Sequence, residues 1–531
     1  MNKNVSSSEG SLCLKRGWRE VNGVYSILNH VIGPIMRGPS SSHTAASYFI
    51  GKIARFLLGD GPIDIEIAFD KKGSYVKVYR EQGSDLAFIA GIIGLDLTDE
   101  RFKEAINLAC SWGISISFLV EDLGEKAHPN EVELRLRGKK GEQVKVRARS
   151  TGGGTIRITG LDGFPVDIDG GTYDAFLYLS RYEIPRISLP GIKVKSVKRG
   201  EDIIVHLSSY REIDNKVLSD LINLSSVRRI RLSKPVFLPM PGEPVFRSGA
   251  EVLKFTREFE RSLGNAGIFY EAKLLGLSEE EVLRLMRERY EIMKRSVRSG
   301  LSDSADFSMK VLDPCAGEMF RRLGEKRLPF GTIHTDIGIR AMGVMHVCNS
   351  MGVVCAAPTA GSAGVIPAVL TALEDRYGIR EENVLKGLFA AGVVGLIVAY
   401  RATFAAEEAG CQVEVGAAGA MAASAAADIM NMPPEEALDS AAISFHNSMG
   451  LICDPVGGFV EVPCHTRNAI FASAALVCVD LISGGYKNMI PFDETVDAVI
   501  SVGRMLPREL RCTAEGGLSM CPSAMRFRRH S

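Results

Sequence analysis

The character of the sequence changes near its middle, and that change limits the folds open to it. Up to about residue 234, strand-like and helical stretches are interleaved. From about residue 248 onward, long runs of Ala, Gly, Met and Val dominate. Pro235, Pro239, Pro241 and Pro244 mark a linker between the two parts. A chain of 531 residues is too long for one ordinary hydrophobic core, so about two to four domains are expected.

In the first part, residues 63–69 alternate apolar and polar side chains with period two and predict a half-buried strand, which residues 74–79 are expected to extend. Residues 132–136 and 144–148 alternate in the same way around the turn-rich Gly138-Lys139-Lys140-Gly141. An amphipathic helix over 101–112 separates the two strand pairs, so this half is α/β. Further on, 201–206 predicts a strand, 215–224 a helix and 227–232 a second strand. This βαβ fragment resembles the second half of a regulatory domain of the ACT type. The helix expected before it is absent from the pattern, because the stretch from Tyr178 to Val194 contains Pro185 and Pro190 and has no helical period. An eroded regulatory domain and a purely structural element both remain open.

The second part reads as helical. Residues 278–297 form a charged amphipathic pattern, with Ser278 and Glu281 as a capping box and Gly300 just past the end. Residues 416–430 and 469–482 suit close-packed helices buried on most faces. The most apolar stretch, 388–399, falls short of the roughly 20 residues that span a bilayer and is followed by Arg401, so a buried helix is expected. The last seven residues, 525–531, carry three arginines and are expected to fray.

Lysine plus arginine balances aspartate plus glutamate at 63 each, which gives no electrostatic case for nucleic acid or an anionic membrane. Residues 1–20 are polar and do not read as a signal peptide. Eleven cysteines, an odd number without small-scaffold spacing, argue against a disulfide framework and for a reducing cytoplasm.

Three of those cysteines stand in distinctive surroundings. Cys453 and Cys464 bound the run Cys453-Asp454-Pro455-Val456-Gly457-Gly458-Phe459-Val460-Glu461-Val462-Pro463-Cys464, and Cys411 sits in Gly410-Cys411-Gln412-Val413-Glu414-Val415-Gly416. Iron–sulfur clusters are held by thiolates, normally four; three would leave one position open to a substrate. Upstream, Gly38-Pro39-Ser40-Ser41-Ser42-His43-Thr44 precedes an apolar run. Its hydroxyls and backbone N–H groups suit a helix N-terminus that binds a carboxylate, and His43 is its one group able to exchange a proton near neutral pH. Two further elements are Ala357-Pro358-Thr359-Ala360-Gly361-Ser362-Ala363-Gly364, small enough for a ligand to approach the backbone, and His446-Asn447-Ser448-Met449-Gly450. Arg467 is a candidate clamp for a substrate carboxylate; an internal ion pair is its other reading.

Together these motifs resemble the iron–sulfur-dependent L-serine dehydratases (L-serine ammonia-lyases), a family with a GPSSSHT element, a PT-(A/N)-G element and a CDPVxGxVEVPC run. The resemblance implies a multidomain α/β plus all-α architecture in one fused chain. It would comprise an extension (1–23), a β-type α/β domain (24–160), a truncated, degenerate ACT-like segment (161–234), a linker (235–269), a helical catalytic domain (270–520) and a tail (521–531). It implies a [4Fe–4S] cluster on Cys411, Cys453 and Cys464, with Cys521 as a possible cap on the open iron and Cys512 as its rival. It implies L-serine as substrate, in a site shared by Ser40, Ser41, Ser42 and Thr44, by Thr359, Ala360 and Gly361, and by His446, Asn447 and Ser448. On side-chain chemistry Arg467 remains the candidate carboxylate clamp and His43 is the candidate base for the Cα proton. A related lyase for L-cysteine or L-threonine, or a non-catalytic iron–sulfur sensor, are the alternatives. The apolar helical faces are compatible with a homodimer.

Overall fold

The computed structural model describes residues 23–124, 127–179, 189–303 and 305–527. Its first strand, β1 (Ile35–Arg37), is followed by a six-stranded sheet made of β2 (Pro62–Asp70), β3 (Ser115–Glu121), β4 (Glu131–Gly138), β5 (Gln143–Gly152), β6 (Thr155–Leu161) and β7 (Phe164–Ile168), in the order β3-β2-β4-β5-β6-β7. Only β2 and β3 run parallel, and helices Ser84–Ile93 and Ala105–Ser111 lie in their crossover. The period-two reading of β2 holds: Ile65 and Ile67 are fully buried. Glu66 alternates to the other face and meets its cross-strand partner Arg135, which also pairs with Glu121 and Glu133.

Residues 74–79 do not extend this sheet. They form a short helix, Tyr75–Val78, because Tyr75 and Tyr79, four positions apart, both turn onto Phe69, a spacing that shares a helical face. The stretch 101–112 divides into a 3-10 turn, Glu100–Glu104, and a helix, Ala105–Ser111.

A second sheet contains β8 (Tyr173–Leu179), β9 (Ile192–Arg199), β10 (Asp202–Ser209) and β11 (Val227–Ser233), ordered β11-β8-β10-β9, with helix Asn215–Ile222 between its last two strands. The strand–helix–strand unit is present as expected. β8 lies between its two strands and pairs antiparallel with both. Residues 180–188, where the pattern lacked a helix, lie outside the described residues, as do the last four of the tail.

The helical body starts earlier than residue 270. The expected linker contains helix Gly249–Glu258, capped by the Ser248 side chain, and the start of helix Leu263–Leu275. Helix Glu279–Gly300 carries the expected capping box, and the apolar stretch 388–399 lies in helix Glu381–Arg401, buried in the helical core. Helix Val415–Ile429 is buried at all 15 positions; its many Ala side chains and bare Gly positions permit close approach from every side. Gly300 closes its helix rather than following it, and a Cβ there would sit 2.1 Å from the Gly343 carbonyl oxygen of helix Ile333–Asn349. Gly300→Val is therefore expected to lower unfolding free energy by roughly 1–3 kcal/mol through overpacking; urea unfolding with an unchanged midpoint would contradict this close crossing.

The start of the described chain is stitched into the helical body. Glu271 accepts hydrogen bonds from the Ile27 (2.8 Å) and Leu28 (3.0 Å) amides and from the Ser26 hydroxyl. β1 then pairs antiparallel with β12 (Val353–Cys355), Ile35 opposite Cys355. Gly38 follows against Cys348, whose carbonyl oxygen would lie 2.1 Å from a Cβ. This stitching sets the Ser40–Thr44 element on the seam between the α/β and helical parts.

Candidate active site

Ser40 caps a helical turn, Ser41–Ala45, that continues into helix Ala46–Leu58. Its hydroxyl accepts from the His43 amide (3.2 Å), and its own amide donates to the Thr44 hydroxyl (3.2 Å). Thr44 in turn donates to the Gln82 carbonyl (2.6 Å), which anchors the turn on the α/β side. His43 is 2% exposed, and burial holds its pKa below the ordinary imidazole value. Its Nε2 lies 3.0 Å from the Ser74 hydroxyl, and that hydroxyl donates to the Asn130 side-chain carbonyl. With its proton given to Asn130, Ser74 accepts from His43, so the ring proton belongs on Nε2 and the lone pair on Nδ1.

Across a pocket from this turn lie Cys411, Cys453 and Cys464, and with them Cys512. Four different segments supply the sulfurs. Cys411 follows Gly410, whose φ of 77° turns the chain after helix Ala406–Ala409. Cys464 is the first residue of helix Cys464–Ser483. Cys453 and the 510–512 segment exchange backbone hydrogen bonds, Cys453 N to Leu510 O (2.8 Å) and Cys512 N to Cys453 O (2.9 Å). Cys512 sits in the left-handed region at φ 61°, a costly conformation for a side-chain-bearing residue. The ligand atoms of Cys411, Glu414 and Cys453 all lie within 4.8 Å of one another, a grouping able to hold a metal ion. Cys521 belongs to the segment capping the turn Pro522–Met525 and is not among the residues lining this pocket.

Arg467 also reaches the pocket, but its guanidinium is already engaged. It donates to the Ile452 carbonyl (2.9 Å), pairs with Asp454 (2.9 Å) and points Nη1 at the Cys411 sulfur (3.5 Å). The Cys453 hydrogen bond, with support from this arginine, holds the Cys411 thiol below its ordinary pKa. The acids of the Cys453–Cys464 run are braces. Asp454 also accepts from the Leu518 amide (2.8 Å), and Glu461 accepts from the amides of Lys310, Val311 and Leu312.

Of the Thr359 loop, Gly361 faces the pocket. Thr359 and Ala360 are buried beside it, and the Thr359 hydroxyl lies 3.1 Å from that of Ser362. Asn468, one helical turn beyond Cys464, donates to the Gly361 carbonyl (2.8 Å) and accepts from the Gly364 amide (3.1 Å), which fixes the loop against the cysteine helix. His446, Asn447 and Ser448 are not brought to the pocket. They end helix Pro434–His446, where His446 bonds Thr495 (2.9 Å), Asn447 the Ile443 carbonyl (2.9 Å) and Ser448 the Phe445 carbonyl (2.8 Å).

Polar pocket residues absent from the sequence-based expectation include Glu414, Asn468 and Glu407. Glu414 follows Cys411 by three positions on a 3-10 turn, where such residues eclipse; that spacing was a usable signal. Burial, with the neighbouring Cys411 and Glu407, holds its carboxyl well above the ordinary value, against the opposing pull of a hydrogen bond with Thr359. Asn468 had a similar signal, four residues after Cys464 on a helix. Glu407 had none.

The family model described as "Serine dehydratase alpha chain" matches residues 204–519. The chain is 34% identical over 280 residues to "Probable L-serine dehydratase, alpha chain" of Bacillus subtilis, covering 52% of this chain and 93% of that protein. It is 42% identical over 146 residues to "Probable L-serine dehydratase, beta chain" of the same organism, 28% of this chain and 64% of that one. It is 27% identical over 497 residues to "L-serine dehydratase 2" of Escherichia coli, 91% of this chain and 96% of that protein.

Proposed function

We infer from a chain that belongs to the serine dehydratase family that L-serine loses water and then ammonia in the pocket between the Ser40–His43 turn and the cysteines. The activity is that of an L-serine ammonia-lyase, with pyruvate as the organic product. Matches to relatives named both alpha chain and beta chain support the reading that one polypeptide carries both parts. The observation that carries the assignment is the convergence of the hydroxyl-and-imidazole turn with four thiols on one pocket.

The donor set fits an iron–sulfur cluster. Sulfurs from four segments are soft ligands of the kind that select such clusters over hard cations, and a guanidinium stands beside one of them. Cys411, Cys453 and Cys464 would hold a [4Fe–4S] cluster. When bound, it supplies a Lewis-acidic iron that polarises the departing oxygen of the substrate. The protein's own residues supply the rest. The Ser40–Ser42 turn presents its helix N-terminus to the substrate carboxylate. His43, held neutral by burial, takes the Cα proton at Nδ1 while Ser74 and Asn130 fix the ring. Loss of the β-hydroxyl leaves aminoacrylate, which tautomerises to the imine and hydrolyses to pyruvate and ammonia. Arg467 acts by holding Asp454 and the Cys411 sulfur in place.

Cys512 is the residue we assign as the cap, on the support of its place in the pocket wall and its backbone ties to Cys453. Cys512→Ala is expected to alter the visible and EPR spectra of the resting holoenzyme, and Cys521→Ala to leave them unchanged. The reverse pattern would return the role to Cys521. The function itself is tested by assaying anaerobically prepared protein for the 2-oxo acid formed from each substrate in parallel, pyruvate from L-serine or L-cysteine and 2-oxobutyrate from L-threonine. Pyruvate from serine at the highest kcat/KM is expected. Absence of serine turnover by iron-replete protein would overturn the assignment, and a preference for cysteine would move it to the related lyase.

A further inference from the structure

An α-amino acid arrives as a zwitterion, so a site that holds one needs a partner for its ammonium as well as for its carboxylate. The Ser40–Ser42 turn offers the N–H groups of a helix N-terminus, which suit the carboxylate and disfavour an ammonium. Arg467 is a cation and is already paired with Asp454. Glu407, on the short helix Ala406–Ala409 just before Cys411, lines the same pocket half-buried. Its Oε1 accepts a hydrogen bond from the Ser42 hydroxyl at 3.1 Å. Among the described residues no cation lies within salt-bridge distance of it, and its Oε2 accepts no hydrogen bond. A carboxylate at a pocket wall with one oxygen unengaged, adjoining a carboxylate-binding turn, is the complement of a zwitterion's ammonium.

We propose that Glu407 receives the α-ammonium of the substrate on Oε2, and so restricts the pocket to α-amino acids against the corresponding hydroxy acids. The proposal rests on the lyase reading above and extends it to the group that recognises the amine. One N–H of the ammonium meets the carboxylate in a charge-assisted hydrogen bond, stronger than a neutral one. Ser42 then has a defined part. Its single hydroxyl proton goes to Glu407 Oε1, which orients the carboxylate and couples the ammonium subsite to the carboxylate subsite beside it.

The test uses holoenzyme and two non-reacting ligands that differ at the α-substituent, L-alanine and L-lactate, as competitive inhibitors of serine turnover. In the unaltered protein alanine is expected to bind more tightly than lactate. In Glu407→Gln, the serine KM and the alanine inhibition constant are expected to rise roughly ten- to a hundredfold, the range for losing a hydrogen bond to a charged group. The lactate constant should stay put and kcat should change less than KM. The change is isosteric at a half-exposed position, and the cluster's visible spectrum reports that the holoenzyme is intact. Ser42→Ala is expected to keep the alanine preference, since Glu407 retains its charge. Equal losses for alanine and lactate in Glu407→Gln, or no loss for either, would overturn the proposal. Absence of serine turnover in the unaltered holoenzyme would instead strike the lyase assignment on which it rests.

Discussion

Replacing Cys453 or Cys464 with serine is expected to remove the cluster chromophore and serine turnover together. The two sulfurs are presented by parts of the fold with little freedom. Cys453 is hydrogen-bonded through both its amide and its carbonyl to the 510–512 segment, and Cys464 begins a 20-residue helix. A serine oxygen in either place is a hard, weakly acidic donor where a soft thiolate is needed. Turnover should fall by more than about a hundredfold, since losing even the outer partners of a metal ligand costs ten- to a hundredfold. Cys110 is exposed and lies outside the pocket, so Cys110→Ser serves as the control and should retain both properties. Normal turnover in both Cys453→Ser and Cys464→Ser would refute their role as ligands.

His43→Ala separates chemistry from cluster assembly. The alanine variant should keep the cluster's visible spectrum, because His43 hydrogen-bonds to Ser74 and Ser40 rather than to any cysteine. Its kcat should fall by about 10²–10⁴, the contribution of a positioned general base. The pH profile carries the same assignment with a definite sign. A base must be unprotonated to work, and burial moves the His43 pKa down. The ring therefore stays neutral through pH 7, and it protonates only at acidity below the ordinary imidazole value of about 6.5. The acidic limb of kcat/KM is expected below that value, with activity flat through neutrality and lost as the pH falls. A limb at or above 6.5 that persists in His43→Ala would assign the base elsewhere.

What the sequence disclosed, and what it did not, follows from the range of the forces involved. The period of β2 and the capping box of Ser278 and Glu281 are local, and both were readable. So was the small-residue run that became the buried helix Val415–Ile429. Residues 74–79 misled because Tyr75 and Tyr79 share the partner Phe69, a tertiary fact that a short alternating pattern does not encode. The cysteine motif gave three pocket thiols; which fourth one joins them depended on the pairing of the 510–512 segment with Cys453. His446, Asn447 and Ser448 belong to a motif near the cysteines in sequence, yet the helix they end directs them at Thr495 and its own carbonyls. Glu407 entered the pocket through the fold of the 406–413 segment, with no spacing or composition to announce it.

The most direct measurement is the iron and acid-labile sulfide content of anaerobically purified protein, taken on the same sample that is assayed for pyruvate from L-serine. About four of each per active chain are expected, with content and activity lost in proportion on exposure to air. Full serine turnover by protein that contains no iron would contradict the cluster assignment.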